Sequence, residues 1–87
     1  MLPDYVLFMR LETVSFYRSL RREEKASLER FFDLLEGYPH LKGETTERDE
    51  IGRTVEVKFV GKFKVVYWTD DAVKEVKVLN IERLLKR

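Results

Sequence analysis

The chain has no cysteine, only two prolines and four glycines, one histidine and one tryptophan in 87 residues. Without cysteine there are no disulfides, no thiolate metal ligands and no cysteine nucleophile. The lone histidine, His40, follows Pro39 in a turn-like stretch. With no second imidazole to share a metal, it reads as a solvated loop residue. No apolar run approaches a membrane span, and "YVLFM" is too short for a secretory signal and has no basic stretch before it. These features predict a cytoplasmic protein with no membrane association. Also absent are a phosphate-cradling glycine loop, a dinucleotide fingerprint and a zinc pattern, so no cofactor and no metal are expected. The serines lack a histidine base in a plausible place.

What is present is apolar and charged in nearly equal measure, 44% and 38%. That balance predicts a folded domain over residues 1–87 rather than a disordered chain, with a modest core and a thin stability margin. The net charge of +1 hides an asymmetry. Residues 1–50 carry eight Lys/Arg against eleven Asp/Glu, and residues 51–87 carry nine against five. The basic C-terminal half has the balance expected of a surface that meets an anion, or of a half that attracts its own acidic counterpart.

Hydrophobic periodicity orders the elements. "DYVLFMRLE" (4–12) is rich in strand formers and apolar on both faces, which predicts a strand covered on both sides. Thr13 or Ser15 is placed to cap a short helix over "SFYRSL". In "RREEKASLERFFDLLEGYP", Leu28, Phe31, Phe32 and Leu35 repeat at i, i+3, i+4, i+7 and predict a helix with one buried face, ended by Gly37 and Pro39. Residues 37–53 hold three of the four glycines and read as a long connection, its "ERDE" run solvated. Three strands follow: "TVEVKFV" (54–60), "KFKVVYWT" (62–69) and "VKEVKVLNI" (73–81). A tight turn at Gly61–Lys62 joins the first two, and an aspartate turn joins the last two. The third alternates less cleanly, as a central strand would. The fold class is therefore α+β, in the order β-α-α-β-β-β, an antiparallel sheet covered on one face by two helices. Asp70 and Asp71 read as turn residues pointing in different directions.

The chemistry-bearing feature is a row of lysines. Counting outward from the Gly61–Lys62 turn places Lys58 and Lys64 nearly opposite each other on one sheet face, with Trp68 two steps along. Like charges opposed across strands repel, and a cation beside an aromatic plane is a usual feature of single-stranded nucleic acid sites. The same residues also fit a solvated sheet face carrying snorkelling lysines.

"GKFKVVYWTDDAVKEVKVLNIER" resembles the core of the RelE/ParE toxin superfamily, in which a glycine-led hairpin carries an aromatic–basic–apolar–apolar–Tyr stretch, then an acidic turn and a strand ending near an arginine. Here these are Phe63, Lys64, Val65, Val66, Tyr67, Asp70, Asp71, Ile81 and Arg83. "LERFFDLLEGYP" is similar to the family's second helix. The resemblance implies a toxin of a type II toxin–antitoxin system, RelE-like: a metal-independent, ribosome-dependent mRNA endonuclease, inhibiting translation, with a cognate antitoxin protein and ribosome-bound mRNA as partners. It implies that Lys58, Lys64 and Arg83 carry the catalysis, by activating a ribose 2′-hydroxyl and stabilising phosphate charge. Lys62, Trp68, Lys77, Lys86 and Arg87 would bind RNA. A lysine base would need a lowered pKa. The chain departs from the pattern at Glu56, where active members tend to carry a lysine, at Lys64, where an arginine is replaced, and in the tail after the last strand, which lacks the family's tyrosine. Those departures fit the alternative of a non-nuclease member, either a ParE-type gyrase inhibitor or a degenerate homologue that only binds its antitoxin.

Overall fold

The computed structural model describes residues 5–84. Seven elements follow in order: β1 (Val6–Met9), α1 (Leu11–Arg18), α2 (Arg22–Gly37), β2 (Thr45–Arg48), β3 (Thr54–Val60), β4 (Phe63–Asp70) and β5 (Glu75–Arg83). The strands form one sheet in the order β1-β5-β4-β3-β2. β2, β3, β4 and β5 run antiparallel to their neighbours, whereas β1 pairs with β5 in parallel through Leu7–Val76 and Met9–Val78. The architecture is thus α+β as expected, but the sheet is mixed and has a fifth strand. The parallel pairing is permitted by the long connection from α1 to β4 that separates the two strands, since parallel neighbours cannot be joined by a tight turn.

The fifth strand lies in the segment read as a connection. Thr45 and Thr46 supply β-branched residues, and the turn after them is built by Asp49. Its carboxylate accepts the Ile51 and Arg53 backbone N–H groups at 3.1 and 2.8 Å and the Arg53 Nε–H at 2.9 Å. Gly52 takes the left-handed φ of 84° that closes this turn. Two consecutive residues of "ERDE" therefore belong to a strand, and Asp49 is a turn keystone.

α2 buries Leu28, Phe31, Phe32 and Leu35, the stripe expected from the periodicity. These side chains pack with Leu20 and with Phe63, Val65, Tyr67, Val76, Val78 and Ile81 of the sheet as the main core. Gly37 is the last helical residue, not a left-handed residue beyond it, and Tyr38 is the C-cap. At the other end Glu24 accepts the Arg21 backbone N–H at 3.0 Å, satisfying one of the helix's orphan donors. α1 begins earlier than expected, with Arg10 as its N-cap. Thr13 lies inside it, buried, and donates its hydroxyl to the Leu79 carbonyl. Leu11 and Glu12, good helix formers, join the helix because β1 pairs over four residues only. β1 is not covered on both sides: Leu7 and Met9 pack on the main core, while Val6 and Phe8 are 55% and 48% exposed.

The uneven alternation of the last strand has a specific cause. Val66 pairs with Asn80 and Tyr67 with Val78, so Leu79 is an extra residue that shifts the phase. Val76, Val78 and Ile81 all reach the main core, and Leu79 packs on the other face against Val55, Val57 and Val66. Among the described residues no helix is long and apolar enough to cross a membrane. Residues Lys86 and Arg87 of the expected RNA-binding set lie outside the described residues.

Candidate functional site

The β3–β4 hairpin decides which side chains share a face. Gly61 has a φ of 58°, so the two-residue Gly61–Lys62 loop forms as the sequence predicts. Val60 then faces Phe63, Phe59 faces Lys64 and Lys58 faces Val65. Facing residues sum to an odd number across a two-residue loop, whereas Lys58 and Lys64 sum to an even one. They therefore lie on opposite faces, which corrects the expectation that they share one. Lys64, Val66 and Trp68 stand on the face away from the main core, together with Val55, Val57 and Phe59 of β3. Glu56, Lys58 and Val60 stand on the helix-bearing face. Val55 and Val57 form a second small core with Val66, Trp68 and Leu79 on the open face, while Phe59 beside Lys64 is exposed.

Every described member of the basic set has a carboxylate partner. Lys64 Nζ lies 2.6 Å from Glu47 Oε2 of β2. Lys58 Nζ lies 3.5 Å from Glu44. Arg83 donates to Glu24 Oε2 at 2.7 Å, and Lys62 reaches the same oxygen at 3.7 Å. Lys77 lies 3.0 Å from Asp70 and 3.8 Å from Glu75. The hydrogen bond from Lys64 to Glu47 raises the lysine's pKa, the opposite of what a lysine base requires. Arg83 and Lys62 hold the Glu24 carboxyl, together with the Arg21 N–H, down to about 2. Three of these acidic partners, Glu24, Glu44 and Glu47, come from the acidic first half, and Asp70 and Glu75 come from the second. The net asymmetry along the chain is largely cancelled in space.

Trp68 is on the Lys64 face as expected, but its ring is already occupied. The Arg53 guanidinium lies 4.0 Å from the ring centroid, and Lys77 Nζ lies 5.4 Å from it. Arg53 is a residue the motif reading missed. Its only local signal was its place after the Asp49–Gly52 turn. A cleft of about 480 Å³ opens on this face, with Arg10, Arg48, Arg53 and Asn80 around a floor of Val55 and Val66. Glu12, Glu47, Asp49 and Glu50 also line it, so its charge is balanced rather than basic. Glu56, one of the departures from the family pattern, shares the helix-bearing face with Lys58 and lies on the opposite face from Lys64. There it accepts the Gly43 N–H at 2.8 Å and meets Lys42 at 4.0 Å.

His40 is not a free loop residue. Its Nε2 lies 2.6 Å from Asp71 Oδ1, and the Tyr5 hydroxyl donates to the same oxygen. Those two bonds lower the Asp71 pKa, Tyr5 contributing most. Asp70 performs the expected turn role, accepting the Ala72 N–H at 3.2 Å.

No family model matches the sequence, and no curated protein matches it. Solved structures do. A chain of an archaeal RelE–RelB complex from Pyrococcus horikoshii OT3 is 17% identical, with a TM-score of 0.75 over 99% of this chain and 100% of that one. The toxin–antitoxin complex RelBE2 from Mycobacterium tuberculosis contains a chain 19% identical, with a TM-score of 0.72 over 91% of this chain and 96% of that one. The isolated Escherichia coli RelE toxin is 13% identical, with a TM-score of 0.70 over 97% and 88%. Identities this low speak for backbone architecture and not for shared side-chain chemistry. In architecture the chain has the RelE/ParE-like toxin fold.

Proposed function

We propose that this protein is the toxin component of a toxin–antitoxin pair and that its partner is an antitoxin protein. The observation that carries the reading is topological: two helices on one face of a β1-β5-β4-β3-β2 sheet, matched along 99% of the chain by a chain of a RelE–RelB complex. For the free protein, the first reading is a ribosome-dependent mRNA endonuclease in the cytoplasm that inhibits translation. Lys64, Lys58 and Arg83 would supply cations to the phosphate, and Lys62, Trp68, Lys77, Lys86 and Arg87 would hold RNA. Phosphate oxygens would then have to displace Glu47, Glu44 and Glu24 from their present partners, an exchange of one anion for another.

The second reading is a non-nuclease member that acts by binding protein, as a ParE-type gyrase inhibitor or through its antitoxin alone. The specific observation in its favour is the distribution of charge. Lys58 and Lys64 stand on opposite faces, and the β3 row beside Lys64 is Val55, Val57 and Phe59. A phosphate binder places several cations on one face.

Expression without a partner, with growth and the integrity of translating mRNA followed together, tests both. A Lys58→Ala/Lys64→Ala/Arg83→Ala variant runs beside it. Arrest with mRNA cleaved within codons, lost in the variant, supports the first reading. Arrest with intact mRNA supports the second. No arrest refutes toxicity and leaves antitoxin binding alone.

A further inference from the structure

We infer that His40 is the general base of a ribonucleotide-cleaving pocket at the top of β3 and β4, away from the Lys64–Glu47 pair. The inference rests on the nuclease reading above and assigns its proton transfer to a different residue.

A base for the ribose 2′-hydroxyl works best with an ionisation near the operating pH. Lys64 is pushed up by Glu47, Tyr67 is pushed up to about 12 by burial, and cysteine is absent. Histidine is the one side-chain type that ordinarily titrates near neutrality, and this chain has a single one. Its placement is specific. Pro39 and Leu41, the residues on either side, have their carbonyls held by β4: Thr69 donates its hydroxyl to Pro39 O, and Tyr67 donates to Leu41 O at 3.0 Å. The backbone carrying His40 is therefore clamped to the sheet from both sides.

The ring's tautomer is also set. The ionised Asp71 carboxylate only accepts hydrogen bonds, so in the neutral imidazole Nε2 is the nitrogen that carries the proton towards Asp71 Oδ1 and Nδ1 is the one with the lone pair. A carboxylate that fixes the tautomer of a catalytic histidine in this way is a recurring arrangement. The imidazole lines a cleft of about 240 Å³ with Lys42, Thr54, Glu56, Trp68 and Thr69. The charged and titratable groups around it are thus Asp71, Tyr5, Lys42 and Glu56. Lys42 makes the longest ion pair among the described residues, 4.0 Å to Glu56, and its side chain is 84% exposed. It is the cation most easily given to a phosphate.

The step balances without a co-reactant. Nδ1 of His40 takes the proton of the 2′-hydroxyl, O2′ bonds to phosphorus, and the P–O5′ bond breaks. O5′ leaves with a proton from the Lys42 ammonium, giving a 2′,3′-cyclic phosphate and a 5′-hydroxyl. Exchange with water then restores both groups.

The test uses the purified 87-residue chain with mRNA on translating ribosomes. Single-turnover rates are measured from about pH 5 to 9, bracketing histidine's ordinary range. His40→Ala lowers the rate by about 10²- to 10⁴-fold and removes the acid limb of the profile. Asp71→Asn, which can donate to Nε2 and favour the wrong tautomer, lowers the rate while binding of mRNA with a 2′-deoxy cleavage position stays unchanged. Melting curves establish that both variants fold, and Asp71→Asn carries the test if His40→Ala does not. Cleavage by His40→Ala at the wild-type rate overturns the inference alone. Wild-type protein that arrests growth yet leaves mRNA intact overturns the nuclease reading and this inference together, and leaves the toxin reading standing.

Discussion

Substituting Gly43 by alanine tests how β2 is held to the sheet. A Cβ at this position would lie 2.4 Å from Val57 O and 2.8 Å from both Val57 C and Val57 N. All three atoms are backbone, and Val57 is fully buried and paired on both sides, with Thr45 and with Val66. Neither strand can give locally. The φ of Gly43 is not left-handed, so the cost is contact and not dihedral strain. To relieve it, the segment before β2 must lift away from β3. That breaks the Gly43 N–H bond to Glu56 Oε1 and the Glu44 N–H bond to Val57 O, each 2.8 Å.

A neutral hydrogen bond contributes about 1 kcal/mol net and one to a charged group about 1.5–3 kcal/mol, so the loss is about 2–4 kcal/mol. In a domain of this size each kcal/mol moves Tm by about 4–8 °C, which predicts a fall of between roughly 8 and 30 °C by calorimetry. Gly37→Ala is the internal control. Nothing lies within 4 Å of its Cβ position and it ends α2, so it raises stability by up to about 1 kcal/mol. A Gly43→Ala protein melting within about 2 °C of wild type would refute the reasoning, because the contact leaves no benign rearrangement.

Acid unfolding should report the carboxylate that joins α2 to the sheet. The Glu24 pKa is lowered in the folded state from 4.5 to about 2, so its stabilisation is complete above about pH 4.5 and is lost as pH falls towards 2. Glu24→Gln flattens the acid slope of chemical stability in that window, and an unchanged slope would contradict the assignment. Tyr67→Phe leaves Leu41 O without its partner and costs about 1–3 kcal/mol, with faster amide exchange in residues 38–42 as the local signature. Glu47→Gln frees Lys64 from its only ion pair among the described residues. It should tighten non-specific RNA binding and steepen the salt dependence by about one counterion; a salt slope equal to wild type would show that Lys64 does not meet phosphate.

The elements that were legible in the sequence were those whose burial is periodic. The Leu28–Leu35 stripe, the Val/Phe/Tyr alternation of β3 and β4 and the Gly61 turn all declare themselves over short windows, because each depends on local spacing. β2 did not, since Thr45–Arg48 is exposed along its length and has no buried face to signal. Its one structural mark is the Asp49–Gly52 turn, which looks like loop composition until Arg53 is seen to close it. The ion pairs were illegible for another reason. Glu24 and Arg83 are 59 residues apart and His40 and Asp71 are 31 apart, and no local pattern links them.

The site was harder to read than the fold because the two respond differently to parity. The fold needs only that each strand present apolar residues, and β3 is apolar enough on one side, with Val60 on the other, to satisfy either assignment. A charge cluster needs a particular face. In this hairpin the face depends on whether the loop holds two residues or three: three would place Lys58 beside Lys64, and two place Phe59 there. A change of one residue in a turn therefore converts a phosphate-binding face into an apolar one while the backbone architecture survives. Likeness of fold at identities of 13–19% accordingly carries little information about catalysis, and the chemistry has to be sought where this chain's own side chains converge.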